Sequence, residues 1–246
     1  MKVVRFKLSG KTAFFKKPDV NTYYYFTYGN IHKIALLGII GSVLGLGGYN
    51  VQSRDFKNNI YPEFYEKLKD SKIAVVPLNT HGYITKKVQT FNNSVGYASL
   101  EAGGNLVVKE QWLQNPKWMV YVIIDEITKK FADMLMHKKA VFLPYLGKND
   151  HFADITEVKK TEILKTEDYN KIDSLFESKY FHINKYPNEE DDTAWKYAEY
   201  LPAELGSKLN QYKFEYFVAT NMDVKSKKKD ISVYKDLETK YNLCFF

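Results

Sequence analysis

The stretch "HKIALLGIIGSVLGLGGYN", residues 32–50, decides how the rest of the chain is read. Its uncharged run from Ile34 to Leu46 spans thirteen residues, three of them Gly. A bilayer needs roughly 20 apolar residues, so this run is too short to cross one. "GLGGYN" lacks the G-x-G-x-x-G spacing and follows a helix-like run rather than a strand, which excludes a dinucleotide turn. A packed helix is what remains. Gly38, Gly41 and Gly45 stand at i, i+3 and i+7 and share one face. Each costs about 1 kcal/mol in a helix interior, so a sheet or a ligand is expected to approach that face closely.

Upstream, residues 2–9 alternate as a strand does. "SGKT" at 9–12 resembles the end of a phosphate loop, but Arg5 stands where its first Gly is required. Gly10 to Ile31 reads as a long loop. Downstream, a helix is expected at 61–69 with Pro62 in its first turn, and "KIAVVPL" at 72–78 as a buried strand. Two β-prone runs, 83–91 and 106–113, form a long hairpin around the turn residues at 92–105. A strand at 119–124, a helix at 126–138 and a further strand starting at "AVFL", 140–143, complete the order β-α-β-hairpin-β-α-β. That order is the split βαβ or ferredoxin-like pattern, an α+β class. Beyond Asp150 the pattern weakens; "TEVKKTEIL" and "KFEYFVAT" read as strands, "NEEDDTAW" and "DVKSKKKD" as charged loops.

The 36 basic and 29 acidic residues leave a net charge of +7, which favours an anionic partner. Residues 1–33 hold Lys2, Arg5, Lys7, Lys11, Lys16, Lys17 and Lys33 against Asp19 alone, so 7 − 1 = +6 sits there. Between Phe14 and Tyr28 seven of fifteen residues are aromatic. With Lys16, Lys17, Asn21, Tyr23 and Tyr24 this is the composition of a single-stranded nucleic-acid surface, where lysines meet phosphates and rings stack on bases. The plainer reading makes half of those rings core under the loop. On the hairpin, Lys86, Lys87, Gln89 and Phe91 face Lys109, Gln111 and Trp112 as a second such set, or as an ordinary solvated hairpin.

The five histidines lack metal-ligand spacing, and neither a metal nor a cofactor is expected. Asp125-Glu126 and Glu189 to Asp192 read as solvated faces. The single Cys244 cannot form an internal disulfide, no secretory signal opens the chain, and a cytoplasmic protein without membrane contact is expected. His32, Lys33 and Tyr49 could instead do metal-free acid–base chemistry at an RNA 2′-hydroxyl.

"LSGKTAFFKKPDVNT" at 8–22, the helix "ALLGIIGSVLGLGG" at 35–48 and "LPYLGKNDHFADI" at 143–155 resemble the CRISPR-associated Cas family-five proteins of the RAMP superfamily, in their type I-B branch. The resembling motifs are Ala13, Phe15, Lys16 and Pro18 of an A-x-F-[KR]-x-P turn, the Gly-spaced helix, and Pro144, Leu146 and Gly147 of a P-x-L-G turn. The resemblance implies an RRM-like (ferredoxin-like) core over 1–155, a thumb hairpin at about 79–117 and a mainly β extension over 156–246. It implies an RNA-binding subunit of the antiviral Cascade complex that holds the crRNA 5′ handle, caps the backbone filament, docks the large subunit and meets target DNA indirectly. Lys11, Lys16, Lys17, Asn21, Tyr23, Tyr24, His32, Lys33, Gly45, Gly47, Gly48, Tyr49 and the hairpin residues Lys86, Lys87, Gln89, Phe91, Lys109 and Trp112 are the expected RNA contacts. Type I-C relatives cut precursor crRNA with a Tyr, Lys and His set in which Lys precedes His. Here His32-Lys33 and His137-Lys138 are reversed, so the expectation is a non-catalytic binder. A handle endoribonuclease using Tyr49, His32 and Lys33 is the alternative, and a protein scaffold without RNA contact the second.

Overall fold

The computed structural model describes residues 1–19, 24–55, 57–184, 193–227 and 231–246. Along the chain run β1 (Lys2–Ser9), β2 (Thr12–Ala13), β3 (Tyr24–Tyr25), α1 (Lys33–Leu44), α2 (Tyr49–Asp55), α3 (Glu63–Leu68) and β4 (Ile73–Pro77). There follow β5 (Lys86–Asn92), β6 (Val107–Gln114), β7 (Lys117–Ile123), α4 (Thr128–Met136) and the long β8 (Asp154–Thr166). The last third is strands: β9 (Phe176–Glu177), β10 (Phe181–Ile183), β11 (Lys196–Leu205), β12 (Tyr212–Thr220), β13 (Val224–Ser226), β14 (Val233–Asp236) and β15 (Asn242–Cys244). The class is α+β.

The central sheet has the order β15-β14-β8-β1-β7-β4. β1 is antiparallel to both β7 and β8, and β4 is antiparallel to β7. β1 and β4 therefore run the same way with β7 between them. Alternation in β1 sends Val4, Phe6 and Leu8 to the face covered by α1 and α4, where they join Leu36, Leu37, Ile40, Phe131 and Leu135 in the main core. Val3 on the opposite face joins Ala74, Tyr121, Ile163 and Leu243 in a second core. Arg5 lies on that face too, buried against Asp236 at 2.8 Å.

The sheet's two edges meet. Ile73 of β4 and Phe246 exchange backbone hydrogen bonds of 3.2 and 3.0 Å. The segment 173–175 fills the rest of the seam: Asp173 N–H donates to Asn242 O, and Leu175 N–H to Val75 O, while Ser174 Oγ accepts from Cys244 N–H.

Several expectations need correction. "AVFL" at 140–143 is irregular, and the fourth core strand is β8. The N–H groups of Val141 and Phe142 donate to Val43 O and Ser42 O, last-turn carbonyls of α1, the second of which also accepts from Gly45 N–H. Those apolar residues therefore close a helix end instead of a sheet. The close approach to the Gly face comes from a helix: a Cβ on Gly41 would lie 2.7 Å from Cβ of Phe64 in α3. α2 was not anticipated, since it buries none of its residues and shows no apolar period. "DVKSKKKD" is not all loop, because Val224–Ser226 is β13 paired with β10. Residue 155 falls on the second position of β8, and β11 and β12 send Leu201, Leu205 and Phe217 into the main core.

Among the described residues no single helix is long and apolar enough to cross a membrane. α1 and α2 together reach that composition, but they meet at 69°, and α1 buries its apolar side chains in the core.

Candidate functional site

α1 begins at His32 and ends at Gly45, and both ends of the helix border one cleft of about 730 Å³. At the first end, His32 has extended backbone and its Nδ1 accepts a hydrogen bond from Ala35 N–H at 3.2 Å, the geometry of an N-cap. Its ring meets those of Phe15, Tyr28 and Tyr212 edge-on at 5.8, 5.3 and 5.6 Å. Burial lowers its pKa from 6.5 to about 3, so the imidazole stays neutral.

At the other end Gly45 adopts φ +79°, a left-handed conformation that Gly takes without strain. The turn is then tied down: Leu46 N–H donates to Gly41 O, Gly47 N–H to Glu63 Oε2 at 2.8 Å, and Phe64 N–H to Gly47 O. Hydrogen bonds from Lys67 and from Gly47 hold the Glu63 carboxyl below its ordinary range. Gly38 and Gly48 also line the cleft, and a Cβ at either would meet nothing within 4 Å. Tyr49 opens α2 with its ring edge-on to Phe64 at 5.7 Å. Burial and the neighbouring Tyr212 push its phenol pKa up, so it stays protonated.

Of the residues the sequence singled out, the structure thus brings together Lys16, His32, Gly45, Gly47, Gly48 and Tyr49. Lys16 is exposed with Nζ 3.9 Å from the centre of the Tyr25 ring. Lys16 and Glu63 are the only charged groups on the cleft wall among the described residues, and Ile34, Ile39, Leu46, Val51 and Phe64 are among its apolar lining.

The other candidates lie elsewhere. Lys33 occupies the first position of α1, outside the cleft wall, with its pKa lowered by burial and by Lys72. Lys17 is engaged, its Nζ 2.7 Å from Glu199 Oε1. Lys11 is exposed in the turn between β1 and β2. Tyr24 is half-buried with Phe26 edge-on at 4.6 Å. Phe14, Phe15 and Tyr28 are core, as the plainer reading of the aromatic run had it. Asn21 and Tyr23 lie outside the described residues, as do Glu189 to Asp192.

β5 and β6 pair antiparallel, with Lys87 opposite Trp112, Gln89 opposite Glu110 and Phe91 opposite Val108. Those residues share one face, and Lys86 and Lys109 stand on the other. The first face is partly spent. Trp112 Nε1–H donates to the buried Glu110 at 2.7 Å, and its ring lies edge-on to His151 at 4.6 Å. Lys148 Nζ lies 3.3 Å from Glu110 Oε1 and 5.2 Å from the Phe91 ring centre. Lys87 stands over Trp112 at 5.4 Å. Burial lowers the pKa of Lys86, which is half-buried, whereas Lys109 is exposed.

Sequence reasoning missed Tyr212, Phe142 and Tyr145 on the cleft wall. Tyr145 sits inside the P-x-L-G segment, which could have drawn attention to it. Nothing local ties Tyr212 to residues 32–49. Among the described residues no group of three or more His, Cys, Asp or Glu could hold a metal ion.

No protein-family model matches the sequence, and no curated protein matches it. Solved structures do. One described as a CRISPR RNA-guided surveillance complex aligns over 92% of this chain and 91% of its own, at TM-score 0.52 and 13% identity. A CRISPR protein from Archaeoglobus fulgidus aligns over 99% of this chain and 98% of its own, at TM-score 0.53 and 11% identity. The chain shares the fold of CRISPR proteins. At these identities the likeness is one of fold, and it runs through nearly the whole chain, so the strands after β8 are part of what is shared.

Proposed function

We propose that this chain is an RNA-binding subunit of a CRISPR effector complex of the Cascade kind, a Cas family-five protein that holds the 5′ handle of the guide RNA without cutting it. Two fold relatives described as CRISPR proteins support the setting. The strand order β8-β1-β7-β4, with α1 and α4 on one face, supports an RRM-like RAMP core, and the β5–β6 pair is its thumb. Filament subunits, a large subunit and, through them, target DNA are the partners this reading implies.

The observation that carries the proposal is the cleft around α1. Its largely apolar lining, the open space beside Gly38 and Gly48 and its single engaged carboxylate suit an unstacked base better than a run of phosphates. Lys16 at the rim supplies one phosphate contact. The sheet face that RRM-type modules use for stacking is unavailable here, because the second core fills it. Binding of repeat-derived RNA, followed by fluorescence anisotropy, should weaken about tenfold in the double variant Lys16→Ala/Tyr49→Ala, which removes one phosphate and one ring contact. Unchanged affinity would overturn the assignment.

The endoribonuclease reading is the weaker one. His32 has its Nδ1 committed to Ala35 and stays neutral, and Lys33 is off the cleft wall. Incubation with repeat RNA in EDTA tests it: specific cleavage that disappears in Tyr49→Phe would reverse the ranking.

A further inference from the structure

The segment that follows α4 was expected to be a strand and instead forms one wall of the cleft. Val141 and Phe142 are hydrogen-bonded to the last turn of α1, and Val141 Cγ1 would lie 3.0 Å from a Cβ on Gly45. Phe142, Tyr145 and Gly147 line the cleft itself. This wall is unusually apolar on its outer side: Val141, Phe142 and Leu143 are 56, 59 and 77% exposed. Immediately before it stand Lys138 and Lys139, both exposed, with Lys138 fixed at φ +54° by the turn that ends α4. Lys160 nearby in the fold is paired with Asp133, but neither Lys138 nor Lys139 has an ion-pair partner among the described residues.

Two unpaired cations leading into exposed aromatic and apolar side chains, continuous with the cleft rim, match the two needs of a single strand: charge for phosphates and flat apolar faces for bases. We propose that residues 138–145 carry single-stranded RNA onward from the cleft, with Lys138 and Lys139 on its phosphates and Phe142 and Tyr145 against its bases. This rests on the cleft being an RNA site. An acidic protein would satisfy the lysines but would leave no reason for rings at the cleft mouth to stand open beside them.

The test uses the full chain and two fluorescein-labelled single-stranded RNAs of mixed sequence, roughly 4 and roughly 16 nucleotides long, the span of site sizes such proteins cover. The double variant Lys138→Asn/Lys139→Gln, with Asn chosen because it accepts the left-handed backbone, removes both cations. For the longer RNA it should lower affinity about tenfold at low salt and flatten the salt dependence by about 1.4 in the log–log slope, two phosphates at about 0.7 each. Phe142→Ala should weaken the longer RNA with the slope unchanged. Lys138→Arg/Lys139→Arg should restore wild-type slope. The short RNA, filling the cleft alone, should bind the lysine variant as it binds the wild type.

Both RNAs binding the lysine variant and Phe142→Ala as they bind the wild type would overturn this inference and leave the cleft reading standing. Failure of the wild type to bind either RNA would overturn the cleft reading, and this inference with it. A lysine variant that loses the short RNA equally would also overturn it, since the lysines would then belong to the cleft.

Discussion

The backbone N–H of Ala35 donates to Nδ1 of His32 across 3.2 Å, so this imidazole caps the start of α1 instead of waiting for a proton. His32→Asn keeps an acceptor at the cap, whereas His32→Ala removes it. The Ala variant should be less stable than the Asn variant by about 1 kcal/mol in urea unfolding. The folded state holds the ring's pKa at about 3 against 6.5 ordinarily, so the unfolded chain binds the extra proton between those values. This contribution to stability is complete above about pH 6.5 and is lost as pH falls toward about 3, at up to about 1.4 kcal/mol per pH unit. Thermal melts across that window should fall more steeply for the wild type than for His32→Asn.

Lys16 and Lys17 are neighbours in sequence with different employment. Lys17 pairs with Glu199, which also accepts from Gly29 N–H at 2.7 Å, while Lys16 stands at the cleft rim. Lys17→Ala should lower stability by about 1 kcal/mol and leave the salt dependence of RNA binding alone. Lys16→Ala should do the reverse, reducing the log–log slope by about 0.7. Salt titrations of anisotropy together with melting curves separate the two.

Gly38 and Gly41 lie on one face of α1 and predict opposite outcomes. Gly41→Ala drives a methyl into Phe64 and should cost about 1–3 kcal/mol. Gly38→Ala points into open space and should gain about 0.5–1 kcal/mol from helix propensity. Gly38→Leu should retain wild-type stability while filling the cleft, so RNA affinity should drop without a change in melting temperature.

Asp236 is fully buried between Arg5 and Tyr121, whose hydroxyl donates to it at 2.9 Å. Burial alone would raise its pKa; hydrogen bonds from Glu238 N–H, Tyr121, Arg5 and Thr239 outweigh that and hold the carboxyl below its ordinary range. Its stabilisation is therefore present above the ordinary carboxylate pKa and lost as pH falls through the depressed folded value. Asp236→Asn leaves the Arg5 guanidinium without its buried counter-ion and should cost about 3–5 kcal/mol, measured by denaturant unfolding. Asn at this position should also flatten the acid limb of the stability profile.

Much of the first two-thirds of the fold was legible from local signals: alternation in the strands, apolar spacing in α4, and for α1, which is buried nearly all round, the length of its uncharged run and its glycine spacing. β1, α1, β4, the β5–β6 pair, β7 and α4 fall where alternation, apolar spacing and turn residues put them. "AVFL" misled because an exposed apolar run has a strand's composition whether it meets a sheet or a helix end. Beyond Asp150, "TEVKKTEIL" and "KFEYFVAT" do fall in β8 and β12, whereas β11 escaped for a different reason: it alternates weakly, and Pro202 sits within it beside a register shift. At the cleft, Lys16, the glycines and Tyr49 were readable from one contiguous region. Tyr212 arrives from far along the chain, and the pairing of Arg5, Lys7 and Lys17 with Asp236, Glu157 and Glu199 is equally non-local. Those three ion pairs consume much of the N-terminal positive charge that the sequence leaves looking unspent.

The seam between Ile73 and Phe246, filled by 173–175, has a consequence for assembly. Proteins that join by lengthening a shared sheet need a strand with idle N–H and C=O groups along its border. Here the N–H and C=O groups of Ile73 on β4 and of Asn242 and Cys244 on β15, and the C=O of Val75, are occupied. A neighbour therefore cannot join this chain by lengthening the central sheet across the seam; contacts made there rest on side chains, and point substitutions at that surface should erase them.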